Sequence, residues 1–239
     1  MSPIYTPGKL VLKKDSVAAT DTNINEVSLL LHGDGTNGST TITDSSLTPK
    51  TVTAVGNAQI STAQSKFGGS SIAFDGTGDY LETPNSTDFA FGAGNFTIEG
   101  WVWTGAIVPQ TMVCHRIGGG PSLTNWLVQT NVGKIAFWAS DGATYQVNAM
   151  GSSTDVNNSQ WNHIAITRSG STFRLFVNGS QEASASWAGS ISSTSRVVQI
   201  GNDTSTNFFN GYIDDLRITK GVARYTAAFT PPTAPFPNY

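Results

Sequence analysis

The sequence predicts an all-β protein in which two antiparallel sheets pack face to face as a sandwich. Most segments that contain apolar residues alternate between apolar and polar side chains, which is the pattern of a strand with one buried face. Breaks rich in Gly and Asn, such as D-G-T-G-D at 75–79 and G-N-D-T-S-T-N at 201–207, separate these segments. Because helical periodicity is scarce, the pattern indicates many short strands joined by turns.

The alternation places the predicted strands at 71–74, 96–103, 134–139, 161–168, 172–177, 196–200 and 211–218. Asn178 and Gly179 follow one of these strands and tolerate the positive φ angles of a type I′ turn, so they predict a hairpin. In the strand before that turn, Phe173, Leu175 and Val177 share one face, because successive side chains point to opposite sides of a sheet.

The chain divides into three predicted parts. Residues 1–26 hold Pro3, Pro7 and a few lysines before a polar stretch, and we interpret them as an extended N-terminal arm. Residues 27–230 carry the alternating segments and are predicted to form one domain. The ending P-P-T-A-P-F-P-N-Y, residues 231–239, cannot enter the interior of a sheet because proline lacks an N–H donor. We therefore expect a tail that runs along the surface.

Composition and charge exclude several classes of function. The 239 residues carry a net charge of −3 without a run of Lys or Arg, which argues against a nucleic-acid partner. The single cysteine, Cys114, cannot form an intramolecular disulfide. The chain has neither an apolar stretch long enough for membrane insertion nor the apolar middle of a signal peptide. A composition with 12% charged residues predicts a surface rich in hydroxyls and amides, which suits an external protein. Together with the missing signal peptide, it fits a protein of a particle that is assembled inside a cell and released by lysis.

Five segments, taken together, resemble the laminin-G-like jelly rolls of the concanavalin A-like lectin/glucanase superfamily. They are S-L-L-L-H-G-D-G (28–35), F-G-G-S-S-I-A-F-D-G-T-G-D-Y-L (67–81), F-T-I-E-G-W-V-W (96–103), W-N-H-I-A-I-T-R with R-L-F-V-N-G (161–179), and G-Y-I-D-D-L-R-I-T-K-G-V-A-R-Y (211–225). Their order matches the family. The resemblance implies a two-sheet antiparallel jelly-roll sandwich of the concanavalin A-like kind.

A domain of this style with the ending A-R-Y-T-A-A-F-T-P-P at 223–232 also resembles parts of tailed-bacteriophage virions. This resemblance implies a non-enzymatic decoration, fibre or adhesion protein on the virion surface. The arm, through Pro3, Ile4, Tyr5 and Leu10, would dock the domain to other virion proteins. The alternative is a carbohydrate-binding module for host or environmental glycans. Self-association into a homo-oligomer stays open.

Catalysis is not expected, although the superfamily includes glycoside hydrolases. Retaining hydrolysis needs two carboxylates about 5 to 5.5 Å apart. Glu99 is the candidate, but its neighbours on the same strand face are Thr97, Trp101 and Trp103, none of which is acidic. Cys114 and the histidine that follows it point to opposite faces of a strand and cannot act as a nucleophile and its base.

The resemblance also implies a candidate site for structural calcium, the one cofactor we consider. In related jelly rolls an Asp just after the first strand meets the terminal strand, which would pair Asp34 with Asp214 or Asp215. Calcium takes several oxygen ligands, and the neighbouring turns offer carbonyl groups as well. The alternative is that these carboxylates accept N–H groups of the backbone, as Asp commonly does in turns.

Aromatic side chains near loops or on faces opposite the apolar set are candidates for a glycan site or a protein interface. They are Trp126, Trp138, Tyr145 and Trp187. Sugars stack on such rings, while their hydroxyls bond to amides and carboxylates. The alternative is that these rings pack in the core, where aromatic residues are common.

Overall fold

Residues 20–238, the part of the chain that the computed structural model describes, fold into two antiparallel sheets. The strands are β1 (Val27–Leu31), β2 (Thr53–Val55), β3 (Gln59–Ser61), β4 (Ser71–Asp75), β5 (Tyr80–Thr83), β6 (Phe96–Trp103), β7 (Gln110–Arg116), β8 (Thr124–Asn131), β9 (Lys134–Ser140), β10 (Tyr145–Asp155), β11 (Asn162–Ser169), β12 (Thr172–Val177), β13 (Ser180–Ser186), β14 (Val198–Ile200) and β15 (Asn210–Lys220). The helical turns of this part are 3-10 helices at Ile24–Glu26, Thr87–Phe89 and Pro121–Leu123. None of them is long and apolar enough to cross a membrane.

The two sheets confirm the predicted all-β sandwich. Sheet A has the order β13-β12-β11-β6-β15-β4-β3, with β1 also paired to β15, and sheet B has the order β10-β9-β8-β7-β14-β5-β2. Neighbouring strands are antiparallel throughout. Since sequence neighbours such as β6 and β7 lie in different sheets, the chain crosses repeatedly between the layers, as a jelly roll does.

The long strand β15 organises sheet A. One edge pairs with β6, while the other pairs first with β4 and then with β1. A bulge between Asp214 and Arg217 lies where these partners change, and Asp215 adopts a positive φ of 51° within it. Because a bulge redirects side chains, this point gathers acidic groups beside the end of β1.

The core between the sheets follows the predicted alternation. Phe173, Leu175 and Val177 all face the core, as expected, and Ile164 and Ile166 of the neighbouring strand join them. The Asn178-Gly179 hairpin is also confirmed, because both residues have positive φ and Val177 pairs with Ser180 across the turn.

The chain after β15, residues 221–238, lies along the outer face of sheet A, and we call this whole segment the tail. The Tyr225 ring stacks on Phe229, with ring centroids 3.5 Å apart, and the Phe229 N–H donates to the carbonyl of Gly179. A Cβ at Gly179 would lie 1.9 Å from the carbonyl oxygen of Phe229, so this approach requires glycine. Farther along, Phe236 is buried, and its N–H donates to Asp215. Aromatic rings thus anchor the tail on sheet A.

The predicted docking residues of the arm, Pro3, Ile4, Tyr5 and Leu10, lie outside the described residues. The last part of the predicted arm, residues 20–26, is described, and its Ile24 packs against Val27 and Leu30 of β1. Within it, Asp21 is buried and pairs with the guanidinium groups of Arg217 and Arg224. This short segment is therefore part of the sandwich.

Candidate functional site

A row of four side chains crosses the outer face of sheet A near one end of the sandwich. Tyr212 of β15 lies opposite Trp103 of β6 and opposite Ala73 of β4, and Ala73 lies opposite Gln59 of β3. The residues beside them along each strand are buried between the sheets. Because successive side chains of a strand alternate between faces, the row points outward. We call the cavity above it the sheet A groove.

Two aromatic rings form one side of the sheet A groove. Trp103 and Tyr212 are partly exposed, and their rings meet edge to face with centroids 5.4 Å apart. Gly211 allows β15 to come this close to β6, because a Cβ there would lie 2.1 Å from the carbonyl oxygen of Trp103. The pair is therefore held by the backbone of two strands.

The rim of the groove is fixed by a buried carboxylate. Asp79 accepts the backbone N–H groups of Asn57 and Asp75, at 2.8 and 2.9 Å, and ties the β2–β3 turn to the β4–β5 turn. Gly56 makes room for this contact, since a Cβ there would lie 2.4 Å from an Asp79 oxygen. On the rim itself, the amide of Asn57 donates to the exposed carboxylate of Asp75 at 3.0 Å. The rim groups are thus ordered before any ligand arrives.

The groove encloses a cavity of about 420 Å³. Several lining groups have no hydrogen-bond partner within residues 20–238: the side-chain amides of Gln59 and Asn210, the hydroxyl of Tyr212 and the indole N–H of Trp103. The bonds that do reach Asn210 use its backbone only. An open cavity with aromatic rings and free amide groups has the chemistry of a small-molecule or sugar site.

The outer face of sheet A also holds an ion network, which lies under the tail. Glu99 of β6 is fully buried and accepts from Arg217 at 2.7 and 3.0 Å and from the Tyr225 hydroxyl at 2.8 Å. Arg217 also reaches Asp21, which in turn holds Arg224 at 2.7 Å. We call these four charged groups, Glu99, Arg217, Asp21 and Arg224, the Glu99 network.

This network gives Glu99 a structural role. Burial alone would raise the pKa of its carboxyl group, but the charge of Arg217 and the contact with His163 hold that pKa at about 2. A general acid needs a pKa near the working pH and access to the substrate, and Glu99 has neither. The two carboxylates of the network are both engaged by arginine.

The outer face of sheet B is covered in its middle by the loop that follows β14. Asp203 of this loop is buried and pairs with Arg116 of β7 at 3.0 Å. The Cys114 thiol donates to the carbonyl of Asn202, and burial raises the pKa of that thiol. His115 points into the core instead, where burial lowers its pKa to about 4. The two residues face opposite sides of the strand, as predicted.

The four predicted aromatic residues do not converge on one site. Trp126 is fully buried and donates from its indole nitrogen to Phe89, so it is a core residue with no face for a glycan. Trp187 packs on the core through Phe173. Trp138 and Tyr145 are partly exposed on sheet B. The rings of the groove, Trp103 and Tyr212, were not among the predicted set.

The three predicted calcium ligands do come together, but they do not fit a calcium ion. Asp215 uses both oxygens, one on His32 Nδ1 at 2.6 Å and the other on the N–H of Phe236 at 2.7 Å. Asp214 accepts two backbone N–H groups from the loop before β4, and Asp34 is exposed beside that loop. Calcium needs six to eight oxygens. Among residues 20–238, no group of three or more His, Cys, Asp and Glu side chains is arranged to hold a metal.

The second oxygen of Asp214 is buried without a hydrogen-bond partner in the described chain. Burial raises the pKa of this carboxyl group to about 7, and the charges of Asp215 and Asp34 add to the effect. Next to it, burial would lower the pKa of His32, but the hydrogen bond and charge of Asp215 raise it. The Asp214 carboxyl group therefore changes between its protonated and ionised forms near neutral pH.

Glu99→Gln should destabilise the protein strongly, because it leaves the buried Arg217 without its main counter-charge. Removing one partner of a buried pair costs about 3–5 kcal/mol, and we expect a loss of that size in the free energy of unfolding. Urea denaturation measures it, with Glu26→Gln, an exposed carboxylate near the start of β1, as the control. A loss below about 1 kcal/mol would mean that the pair acts like a surface salt bridge.

Asp214 should make the stability fall as the pH rises. Its pKa in the folded state, about 7, lies above the ordinary 3.8, so the folded protein keeps a proton that the unfolded chain releases between these values. We expect the free energy of unfolding to drop by about 2–3 kcal/mol between about pH 5 and about pH 8. The raised pKa of His32 adds a decrease of the same sign.

Asp214→Asn cannot ionise and should reduce this drop, while Asp155→Asn, at an exposed carboxylate of β10, should leave it unchanged. Urea denaturation of the three proteins at both pH values provides the comparison. Equal pH dependence in wild type and Asp214→Asn would show that Asp214 ionises freely in the folded protein.

Solved structures with the same sandwich include toxin binding domains. The binding domain of Paraclostridial Mosquitocidal Protein 1 is 16% identical with a TM-score of 0.62, covering 87% of this chain and 50% of that chain. The receptor binding domain of botulinum neurotoxin D is 15% identical with a TM-score of 0.62, covering 84% of this chain and 51% of that chain. The binding domain of botulinum neurotoxin DC, in complex with rat synaptotagmin II, is 15% identical with a TM-score of 0.62, covering 84% of this chain and 50% of that chain. This chain thus spans about half the length of these structures, and the likeness concerns the fold.

Comparison with curated proteins gives no match. A family model does match: residues 75–224, more than half of the chain, fit Laminin_G_3, described as the concanavalin A-like lectin/glucanases superfamily. The matched segment runs from the end of β4 through β15 to Arg224 and so includes most of both sheets. The chain therefore belongs to the Laminin_G_3 family of the concanavalin A-like lectin/glucanase superfamily.

Proposed function

We propose that this chain is a non-catalytic recognition domain that binds carbohydrate in the sheet A groove. One observation carries the proposal: the aromatic pair Trp103 and Tyr212 stands beside an ordered rim and beside the side-chain amides of Gln59 and Asn210, which have no partner within residues 20–238, in an open cavity of about 420 Å³. Sugars present apolar C–H faces to aromatic rings and hydroxyls to amides and carboxylates, so one cavity serves both kinds of contact.

Two further observations support recognition without chemistry. Glu99, the carboxylate on the strand where a glycosidase of this fold would carry its acid, is buried and paired with Arg217. The structures of similar fold are named as binding domains of toxins, and one of them is in complex with synaptotagmin II. Both observations support a domain that binds a partner through its surface and does not catalyse a reaction.

Trp103→Ala and Tyr212→Ala should each weaken glycan binding by roughly tenfold, because each removes one ring of the stacking surface. A glycan array with the wild-type protein identifies a ligand, and isothermal titration calorimetry with that ligand measures the loss. The recovered saccharide should be intact, as expected of binding without hydrolysis.

Trp138→Ala is the matched control, because Trp138 is also partly exposed but lies on sheet B. It should bind the glycan like wild type, and all three variants should keep the wild-type melting temperature within a few degrees. Loss of binding in Trp138→Ala together with full binding in Trp103→Ala would move the site to sheet B.

We further propose that the domain is displayed on the surface of a tailed-bacteriophage particle assembled in the host cytoplasm. The ending at 223–232, whose sequence resembles virion proteins, supports this context. In the structure, Arg224 and Tyr225 of this ending fasten the tail to the Glu99 network. The arm, through Pro3, Ile4, Tyr5 and Leu10, would attach the domain to a neighbouring virion protein.

Deletion of residues 1–19 should remove the attachment and leave the fold intact. The cut must spare Asp21, because its carboxylate holds Arg217 and Arg224. We expect the shortened chain to melt like the full chain and to be missing from purified particles in an immunoblot. A full-length Asp21→Ala variant separates the two effects: it should lose stability but still reach the particle. Normal incorporation of the shortened chain would contradict the docking role of the arm.

A further inference from the structure

The groups that line the sheet A groove carry negative charge and no positive charge. Asp75 and Asp79 contribute carboxylates, and the lining residues in the described part of the chain include no Lys, Arg or His. Asp79 is buried beneath the rim, whereas Asp75 is exposed on it. A ligand in this cavity therefore meets a negative potential.

Three cationic side chains near the outer face of sheet A are engaged by other groups. The ammonium group of Lys66 lies 3.7 Å from the centre of the Trp101 ring, and Arg217 and Arg224 belong to the Glu99 network. None of these three residues lines the groove. These three cations therefore do not line the rim and do not pair with its negative charge.

The rim pair of Asn57 and Asp75 matches a hydroxyl group better than an anion. The amide N–H of Asn57 and the carboxylate of Asp75 lie side by side, joined by a bond of 3.0 Å. A sugar hydroxyl can donate to the carboxylate and accept from the amide. A carboxylate or sulfate on the ligand can only accept, so it could not donate to Asp75 and would place two negative charges together.

We infer that the sheet A groove selects neutral saccharides and rejects acidic ones, with Asp75 as the residue that sets this specificity. This inference rests on the proposed carbohydrate-binding function. Trp103 and Tyr212 would supply the stacking surface, which is indifferent to charge on a distant substituent. Asp75 would read one hydroxyl and repel carboxylated or sulfated sugars.

An array printed with neutral oligosaccharides, and with the same oligosaccharides bearing sialic acid or sulfate, tests the inference. The wild-type protein should bind the neutral forms roughly tenfold more tightly than their acidic counterparts at low salt. In about 1 M NaCl the ratio should shrink, because the screening length falls to about 3 Å.

Asp75→Asn removes the charge and keeps a polar side chain on the rim, so the ratio of neutral to acidic binding should fall towards one. Asp141→Asn, at an exposed carboxylate in the β9–β10 turn of sheet B, should keep the wild-type ratio. Using ratios cancels any general loss of affinity in a variant.

The outcomes separate the inference from the proposed function. Binding of neutral and acidic forms with equal affinity, or an unchanged ratio in Asp75→Asn, overturns the charge selection while carbohydrate binding stands. Binding of no saccharide on the array overturns both.

Discussion

The buried ion pair between Glu99 and Arg217 governs how the outer face of sheet A is used. An ionised carboxylate inside a protein is costly unless charged partners and hydrogen bonds surround it. The partners here come from three separate parts of the chain: Arg217 from β15, Tyr225 from the tail and, through Arg217, Asp21 from the segment before β1. The network therefore ties the tail to the sheet, and the tail covers the part of the outer face around Glu99.

The groove leaves another part of that face open, and the two tryptophans of β6 differ in what covers them. Trp101 and Trp103 share a face of β6, but Trp101 lies under Lys66 and Phe67, whereas Trp103 lines the groove beside Tyr212. The W-V-W pattern predicts the shared face. It cannot predict which ring is covered, because the covering residues come from the loop before β4, far away in the sequence.

How well each strand can be predicted also depends on which of its faces is covered by residues distant in the sequence. β6 and β12 match their predicted limits, because one face of each is strongly apolar. β7 and β8 are not among the predicted strands. The loop containing Asp203 covers the outer face of sheet B, so nearly all residues of these two strands are buried. Strands that are buried on both faces need not alternate between apolar and polar residues. β13 is a run of small and polar residues with little contrast between its faces. The fold class survives these omissions, because the remaining strands already demand two sheets.

The tight turn at Asn178-Gly179 carries more information than its local geometry requires. A type I′ turn accepts several dipeptides, including Gly-Asn. Here Asn178 Oδ1 accepts the N–H of His163, and Gly179 leaves space for the carbonyl of Phe229. Exchanging the two residues would satisfy the same dihedral angles, yet it would strip the neighbouring strand of an acceptor and drive a side chain into the tail. Long-range packing therefore determines the order of this dipeptide. A hairpin designed from local turn rules alone could form the correct turn and still prevent the tail from packing on sheet A.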